Sequence, residues 1–232
     1  MGQNKENREL AELHLKIGTG YLTQRNYPLA LKELLTADDL DGSNYAVLNN
    51  LGLAYYLMGE VPRAIEKLQG AVQANPQYTE ARNNLGHAYI ANKQYAEAEK
   101  QLDIAVKDLT YTNPEKSWTN LGHAYFMQQR FDNARFALNK AMSLNREYCP
   151  AFTLYGRVVY EEKKYLSASE ALEQAVHKCR MYQYDEPTYY GALSYLKLGK
   201  RELAKAKLQE VITLFPQSEF AEKAKSLIES MQ

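Results

Sequence analysis

The chain has 232 residues, 45% of them hydrophobic, and its 28 basic and 28 acidic residues give a net charge of zero at neutral pH. This balance argues against the basic face that nucleic-acid-binding proteins carry. No stretch approaches the 18 consecutive apolar residues of a transmembrane helix, and no secretory leader is found in these residues. We therefore expect neither a nucleic-acid partner nor a membrane span.

A repeat of about 34 residues runs through the chain. Its key positions, spaced by 34, 34, 36, 34 and 36 residues, are Gly18, Gly52, Gly86, Gly122, Gly156 and Ala192. Alanine recurs twelve residues after each key position, leucine sixteen after, and a small residue nineteen after. A fixed period of this length is typical of a stacked repeat protein, in which each unit buries its apolar face against its neighbours.

The recurring residues identify the unit. The second copy reads Leu48-x-x-Leu51-Gly52-x-x-Tyr55, followed by Ala64, Leu68, Ala71 and Pro76. This pattern resembles the tetratricopeptide repeat, a helix–turn–helix unit. The resemblance implies an all-α protein, a right-handed superhelical solenoid of six tetratricopeptide helix hairpins plus a C-terminal capping helix.

In chain order, the sequence predicts a polar N-terminal segment at 1–10, six repeats over 11–218 and a capping helix at 219–232. The repeats are expected at 11–44, 45–78, 79–112, 115–148, 149–182 and 185–218. Two-residue insertions separate the third repeat from the fourth and the fifth from the sixth. Ser218 is the predicted N-cap of the final helix, whose apolar stripe would cover the exposed end of repeat six.

No pattern in the chain is typical of catalysis. Gly18 and Gly20 fall inside a predicted helix rather than in a phosphate-binding loop, and the four histidines and two cysteines lack zinc-ligand spacing. His87 and His123 occupy the same position in adjacent repeats, where polar residues lining a groove are favoured over a metal site. We expect no enzyme activity, no cofactor and no metal.

The first helix of each tetratricopeptide hairpin lines the concave groove, so residues there can be compared between copies. Just before three key glycines stand the pairs Asn49 and Asn50, Asn83 and Asn84, and Thr119 and Asn120. Asparagine inside a helix costs up to about 0.7 kcal/mol relative to alanine, so its recurrence suggests that the amide is used. The predicted partner-binding groove comprises Asn49, Asn50, Tyr56, Asn83, Asn84, His87, Asn120, His123 and Phe126. The alternative is that Asn50, Asn84 and Asn120 bond neighbouring helices and hold the stack together.

Cys149 and Cys179 are the only cysteines. Cys149 opens the first predicted helix of repeat five and Cys179 closes the second, so antiparallel pairing of the two helices brings the thiols close together. The sequence therefore predicts a disulfide and an oxidising compartment. The alternative is two reduced, buried thiols.

A narrower resemblance is carried by segment 108–115 (DLTYTNPE), by the Asn-Leu-Gly at 120–122 and by the repeat junction SLNR at 143–146. Together with six repeats and a terminal helix, they resemble the pilotin lipoproteins of type IV pilus systems, the PilF, PilW and Tgl group. The paired cysteines resemble those of the Tgl branch.

This resemblance implies a non-enzymatic protein-binding adaptor that supports assembly or outer-membrane localisation of the secretin pore, with a secretin subunit as its partner. It also implies a lipoprotein at the periplasmic face of the outer membrane, whose leader and lipid-bearing cysteine lie outside this sequence. The alternative is a general tetratricopeptide interaction scaffold, such as an adaptor for cell-wall enzymes or a cytoplasmic scaffold.

Overall fold

The computed structural model describes residues 2–180 and 184–231, and within these ranges the chain forms thirteen α-helices and no strand. The helices are α1 (Gly2–Thr23), α2 (Tyr27–Leu40), α3 (Tyr45–Leu57), α4 (Val61–Ala74), α5 (Thr79–Ala91), α6 (Tyr95–Ala105), α7 (Pro114–Met127), α8 (Phe131–Leu144), α9 (Cys149–Glu161), α10 (Tyr165–Cys179), α11 (Glu186–Lys197), α12 (Arg201–Leu214) and α13 (Glu219–Ser230). The prediction of an all-α chain of six helix pairs and a final helix is confirmed.

Parts of three predicted segments lie outside the described residues. They are residue 1 of the N-terminal segment, residues 181–183 at the end of repeat five and the following junction, and residue 232 of the capping helix. The rest of the predicted polar segment is helical, because α1 begins at Gly2.

The chain divides into two compact units, Met1–Ala124 and Tyr125–Gln232. In the N-terminal unit α1 packs on α2, α3 on α4 and α5 on α6, while α3 also contacts both α1 and α5. In the C-terminal unit α9 packs on α10, α11 on α12, α13 on α12, and α9 contacts α11. First helices of successive pairs therefore lie side by side within each unit.

The recurring small and leucine residues form the core. All of them are at most 1% exposed. They are Ala30, Ala64, Ala98, Ala134, Ala168 and Ala204; Leu34, Leu68, Leu102, Leu138, Leu172 and Leu208; and Ala37, Ala71, Ala105, Ala141, Ala175 and Val211. The residues that recur every 34 to 36 positions in the sequence are thus the residues that the structure buries.

The key glycines are required by close packing between the two helices of a pair. A Cβ atom added to Gly18 would lie 2.7 Å from Cγ of Leu34, and one added to Gly86 would lie 2.5 Å from Cγ of Leu102. Carbon atoms cannot approach so closely without repulsion, so the leucine occupies the space that any side chain at the key position would need.

The turn inside each pair uses one backbone conformation. The residue seven positions after each key residue has a positive φ, between 58° and 81°. These residues are Arg25, Gly59, Lys93, Gln129, Lys163 and Gly199. Four of the six are not glycine, although the left-handed conformation costs other residues roughly 1–2 kcal/mol. Packing of the two helices therefore overrides local preference in the turns.

The last helix covers the apolar end of α12 as expected. The hydroxyl of Ser218 accepts a hydrogen bond of 3.0 Å from the backbone N–H of Ala221, which confirms the predicted N-cap. Phe220, Leu227 and Ile228 pack against the cluster that contains Leu208 and Val211.

A disulfide joins Cys149 at the start of α9 to Cys179 at the end of α10, the pairing predicted from the sequence. The Cα atoms are 4.9 Å apart, and both residues are buried. The hydroxyl oxygen of Thr153 lies 3.4 Å from Sγ of Cys179. The bond ties both ends of one helix pair and closes a loop of 30 residues.

Two alanine substitutions in α1 test the close packing. Gly18→Ala should lower the free energy of unfolding by about 1–3 kcal/mol, because the new methyl group overlaps Leu34. Gly20→Ala is the matched control: no atom lies within 4 Å of a Cβ added there, so alanine should raise that free energy by about 0.5–1 kcal/mol. Urea unfolding measures both, and equal effects at the two positions would contradict the packing account.

Removal of the disulfide should lower stability through the unfolded state. The Cys149→Ala/Cys179→Ala variant should lose about 3–4 kcal/mol of unfolding free energy, since a 30-residue loop is no longer closed. Dithiothreitol should cause a comparable loss in the native chain and none in the variant. An equal response of both proteins to the reductant would count against the bond.

Candidate functional site

The predicted partner-binding residues of the N-terminal unit lie on α3, α5 and α7. The asparagines occupy equivalent positions of these helices, and so do His87 and His123. We call the surface formed by α1, α3, α5 and the part of α7 up to Ala124 the first-helix face. Five asparagines of this face are hydrogen-bonded to neighbouring side chains, and four of these bonds link one first helix to the next.

Two of these asparagines are buried and accept hydrogen bonds from other side chains. Asn49 and Asn83 are only 2% and 4% exposed. The Nδ2 group of Asn84 donates to Oδ1 of Asn49 at 3.0 Å, and that of Asn120 donates to Oδ1 of Asn83 at 3.0 Å. Ser117 also donates to Asn83, at 3.2 Å. The alternative role, in which Asn50, Asn84 and Asn120 bond neighbouring helices, therefore describes one contact that each of these amides makes. Asn49 and Asn83 are the buried acceptors for two of them.

The series continues to α1. Asn49 donates to Oδ1 of Asn50 at 3.0 Å, and Nδ2 of Asn50 donates to the Thr19 hydroxyl at 2.7 Å. Thr19 donates in turn to the backbone carbonyl of Leu15. A continuous chain of side-chain hydrogen bonds thus joins α1, α3 and α5. Such chains are cooperative, and each member fixes the orientation of the next.

Asn84 and Asn120 keep hydrogen-bonding capacity. Both are half-buried, and each donates one of its two amide protons to a buried asparagine. Within the described residues the carbonyl oxygen of neither amide accepts a hydrogen bond. A primary amide provides two donors and one acceptor oxygen, so each can still bind both an N–H and a C=O group of a peptide backbone.

Tyr56 and His87 form a pair beside the amides. Oη of Tyr56 lies 3.3 Å from Nε2 of His87, and their ring centroids are 4.8 Å apart. Burial lowers the pKa of His87 and raises the pKa of Tyr56, so the pair is uncharged at neutral pH. His123 lies half-buried one repeat further along, on α7. Among the described residues no group of three or more His, Cys, Asp or Glu side chains is arranged to hold a metal ion.

The ninth predicted residue, Phe126, belongs to the C-terminal unit. Its ring is 8% exposed and lies 6.3 Å from the ring of Phe131, with the guanidinium of Arg157 5.2 Å from its centroid. It therefore joins an aromatic and cationic cluster rather than the amides.

The insertion between the third and fourth repeats is a fixed loop. The carboxylate of Asp108 accepts hydrogen bonds from the hydroxyls of Thr79 and Thr110 and from the backbone N–H of Thr110. These hydrogen bonds lower the pKa of Asp108, and the one from the Thr110 hydroxyl has the largest effect. Tyr111 donates to Glu80 at 2.6 Å, and burial together with this carboxylate raises the pKa of Tyr111. The loop presents Leu109 with 96% of its surface exposed.

Sequence reasoning missed two aromatic residues of the C-terminal unit. Tyr189 and Tyr190 stand three and two residues before Ala192, the positions that hold Asn49 and Asn50 relative to Gly52. Extending the comparison of these positions to the sixth repeat would have found them. Thr19 and Ser117 carried no such signal, because they act only as partners of asparagines on neighbouring helices.

The fold of this chain is similar to those of solved tetratricopeptide-repeat structures. A structure from a functional characterization of Pseudomonas aeruginosa pilF matches with a TM-score of 0.76 and 21% identity, covering 95% of this chain and 99% of that one. PilW, described as a widely conserved type IV pilus biogenesis factor, matches with a TM-score of 0.83 and 20% identity, over 92% of this chain and 97% of that one. The Cut9–Hcn1 hetero-tetramer of the APC/C matches with a TM-score of 0.81 and 18% identity, over 93% of this chain and 42% of that one. At these identities the likeness concerns the fold.

None of the helices in the described ranges is both long and apolar enough to cross a membrane. Tetratricopeptide solenoids present extended surfaces to other proteins. The family profile described as the C-terminal ARM domain of tetratricopeptide repeat protein 21 matches residues 29–224. The chain therefore belongs to this tetratricopeptide-repeat family, and its fold is that of the protein-binding solenoids to which it is similar.

Proposed function

We propose that the chain is a non-enzymatic adaptor of type IV pilus biogenesis, and that its first-helix face binds a segment of a secretin subunit. The observation that carries the binding proposal is the pair of half-buried amides, Asn84 and Asn120. Each is anchored by one bond to a buried asparagine, and its carbonyl oxygen accepts no hydrogen bond from the residues that the structure describes. Likeness to PilF and PilW over more than nine-tenths of this chain supports the pilus assignment.

The hydrogen bonds that hold the amides of Asn84 and Asn120 in place should increase the affinity for a partner. A side chain that is already held in one rotamer loses little conformational entropy when a ligand binds it. Asn84 and Asn120 lie in equivalent positions of successive helices, so together they suit an extended or partly helical segment laid across those helices. Backbone groups, rather than particular side chains, would make the polar contacts.

Electrostatic steering is not needed for this binding. The chain has no net charge, and the pair Tyr56 and His87 beside the amides is neutral at neutral pH. Binding should accordingly depend weakly on salt, unlike the capture of an acidic tail by a basic clamp.

The proposal also includes the location. The disulfide between Cys149 and Cys179 supports an oxidising compartment, and the periplasm is one. We propose that the protein works at the periplasmic face of the outer membrane, held there by a lipid anchor outside the present sequence.

A general interaction scaffold is the second candidate. The Cut9–Hcn1 match has a TM-score comparable to that of PilW, so this fold is not restricted to pilus proteins. Under this candidate the same first-helix face would bind a different protein, such as a cell-wall enzyme or a cytoplasmic partner.

The decisive variants are Asn84→Ala and its matched control Asn49→Ala. Both remove the same internal hydrogen bond, but only the first removes the half-exposed amide. Calorimetric titration with a purified secretin subunit should show a loss of about 1–3 kcal/mol of binding free energy for Asn84→Ala, because partner groups are left unpaired. Asn49→Ala also removes the bond to Asn50 and should lower the stability of the fold by a similar amount. It should cost less affinity than Asn84→Ala, because Asn84 then loses its anchor but keeps its amide.

The pair Asn120→Ala and Asn83→Ala repeats the comparison one helix further along. Equal losses of affinity in control and test variants would assign the amides to helix packing alone. Unchanged affinity in every variant would move the partner to another surface, such as the loop that presents Leu109. Intact pili and heat-stable secretin multimers in a deletion strain would contradict the pilus assignment and leave the general scaffold.

A further inference from the structure

The C-terminal unit carries an aromatic surface that the proposed secretin site does not use. It consists of Tyr160 on α9, Tyr189 and Tyr190 on α11, and Phe220 on α13, and we call it the aromatic face. The ring centroids of Tyr160 and Tyr190 are 5.7 Å apart, those of Tyr189 and Tyr190 5.7 Å, and those of Tyr189 and Phe220 5.2 Å. All four residues are half-buried, so the rings pack on one another and still reach solvent.

Three hydroxyl groups of this face have no protein partner. Among the described residues, the hydroxyls of Tyr160, Tyr189 and Tyr190 make no hydrogen bond. Burial raises the pKa of Tyr160 and of Tyr189, so these phenols stay protonated at physiological pH and can donate. These hydroxyls reach solvent, and a ligand that covered them would have to supply acceptor groups, because a buried phenol ordinarily has a hydrogen-bond partner.

The two cations that contact the rings of this face are each paired with a carboxylate. The guanidinium of Arg157 lies 4.9 Å from the centroid of the Tyr190 ring and pairs with Glu186 at 2.8 Å. The ammonium of Lys223 lies 4.9 Å from the centroid of Phe220 and pairs with Glu219 at 2.5 Å. Two rings therefore already carry a cation, which disfavours a cationic ligand such as a quaternary ammonium group. Each cation has its own carboxylate, which disfavours an anionic one.

An uncharged ligand with an apolar surface and unpaired acceptors fits these constraints. An amphipathic helix fits less well, because its backbone carbonyls are hydrogen-bonded within the helix and would leave the phenols unpaired. A polyproline II segment has no internal hydrogen bonds, so its carbonyls are free to accept. Proline also lacks a backbone N–H, so it adds no donor to a surface whose hydroxyls already donate.

We propose that the aromatic face of the C-terminal unit is a second binding surface, specific for an uncharged, proline-rich segment in the polyproline II conformation. The proline rings pack on Tyr160, Tyr189, Tyr190 and Phe220, and backbone carbonyls accept from the tyrosine hydroxyls. Grooves lined by aromatic residues recognise such segments in other proteins. The surface lies in a different unit from Asn84 and Asn120, so it stands independently of the secretin proposal.

Titration of the full-length chain with an acetylated and amidated decaproline peptide tests the proposal. Binding should be measurable by calorimetry, and the Tyr189→Phe/Tyr190→Phe variant should weaken it about ten-fold, because the hydroxyl donors are lost while the rings remain. Tyr56→Phe is the matched control: it removes a half-buried hydroxyl from the N-terminal unit and should leave decaproline affinity unchanged within about two-fold.

A leucine–lysine amphipathic helical peptide and a glycine–serine peptide of the same length serve as competing probes. Failure of decaproline to bind at millimolar concentration, or equal binding by the double variant, would overturn the proposal. So would tighter binding of the helical peptide that the double variant weakens. The secretin affinity of the double variant should match that of the native chain, which separates this result from the test of the first-helix face.

Discussion

The contact between a key glycine and the leucine sixteen residues later sets the geometry on which the rest of the structure depends. At Gly18 and Gly86 that leucine occupies the place of a side chain, so in these pairs the two helices cross too closely for a larger residue. The sixth pair accommodates a methyl group at this position, because its key residue is Ala192. The alanines twelve and nineteen residues after the key position are buried around the same crossing. Because each pair crosses in the same way, equivalent positions of successive first helices come to lie next to one another within a unit.

Because of this register, residues at the same position of successive repeats form one continuous surface within a unit. In the second and third repeats the residues two and three before the key glycine are asparagines. Hydrogen bonds from Asn84 to Asn49 and from Asn120 to Asn83 follow from this register. In the C-terminal unit the same positions of α11 hold Tyr189 and Tyr190, and the surface becomes aromatic. The same fold thus presents two kinds of surface, one with side-chain amides and one with aromatic rings that carry hydroxyl donors, while the repeated core positions stay buried.

The fold could be predicted from the sequence because the repeat period is also the period of burial. The pairing of Cys149 with Cys179 could be predicted for the same reason, since helix lengths and an antiparallel turn leave little freedom. Which asparagine of each pair is buried, and which stays half-exposed, could not be predicted from the sequence. Neighbouring residues of a helix differ by about 100° in direction, and only the packing of α3 against α5 decides that Asn49 is buried while Asn50 is half-exposed. Tyr189 and Tyr190 were missed because they replace the residue type found at these positions in earlier repeats instead of repeating it.

The central claim is that amides anchored in the helix stack also bind the partner, and side-chain amide NMR signals report on this directly. On addition of a secretin subunit to the isotope-labelled chain, the NH2 signals of Asn84 and Asn120 should shift in proportion to saturation. Those of Asn75 and Asn145, which end the second helices α4 and α8, should stay in place. Saturation of the partner with unchanged Asn84 and Asn120 signals, or with shifts confined to the second helices, would contradict the account.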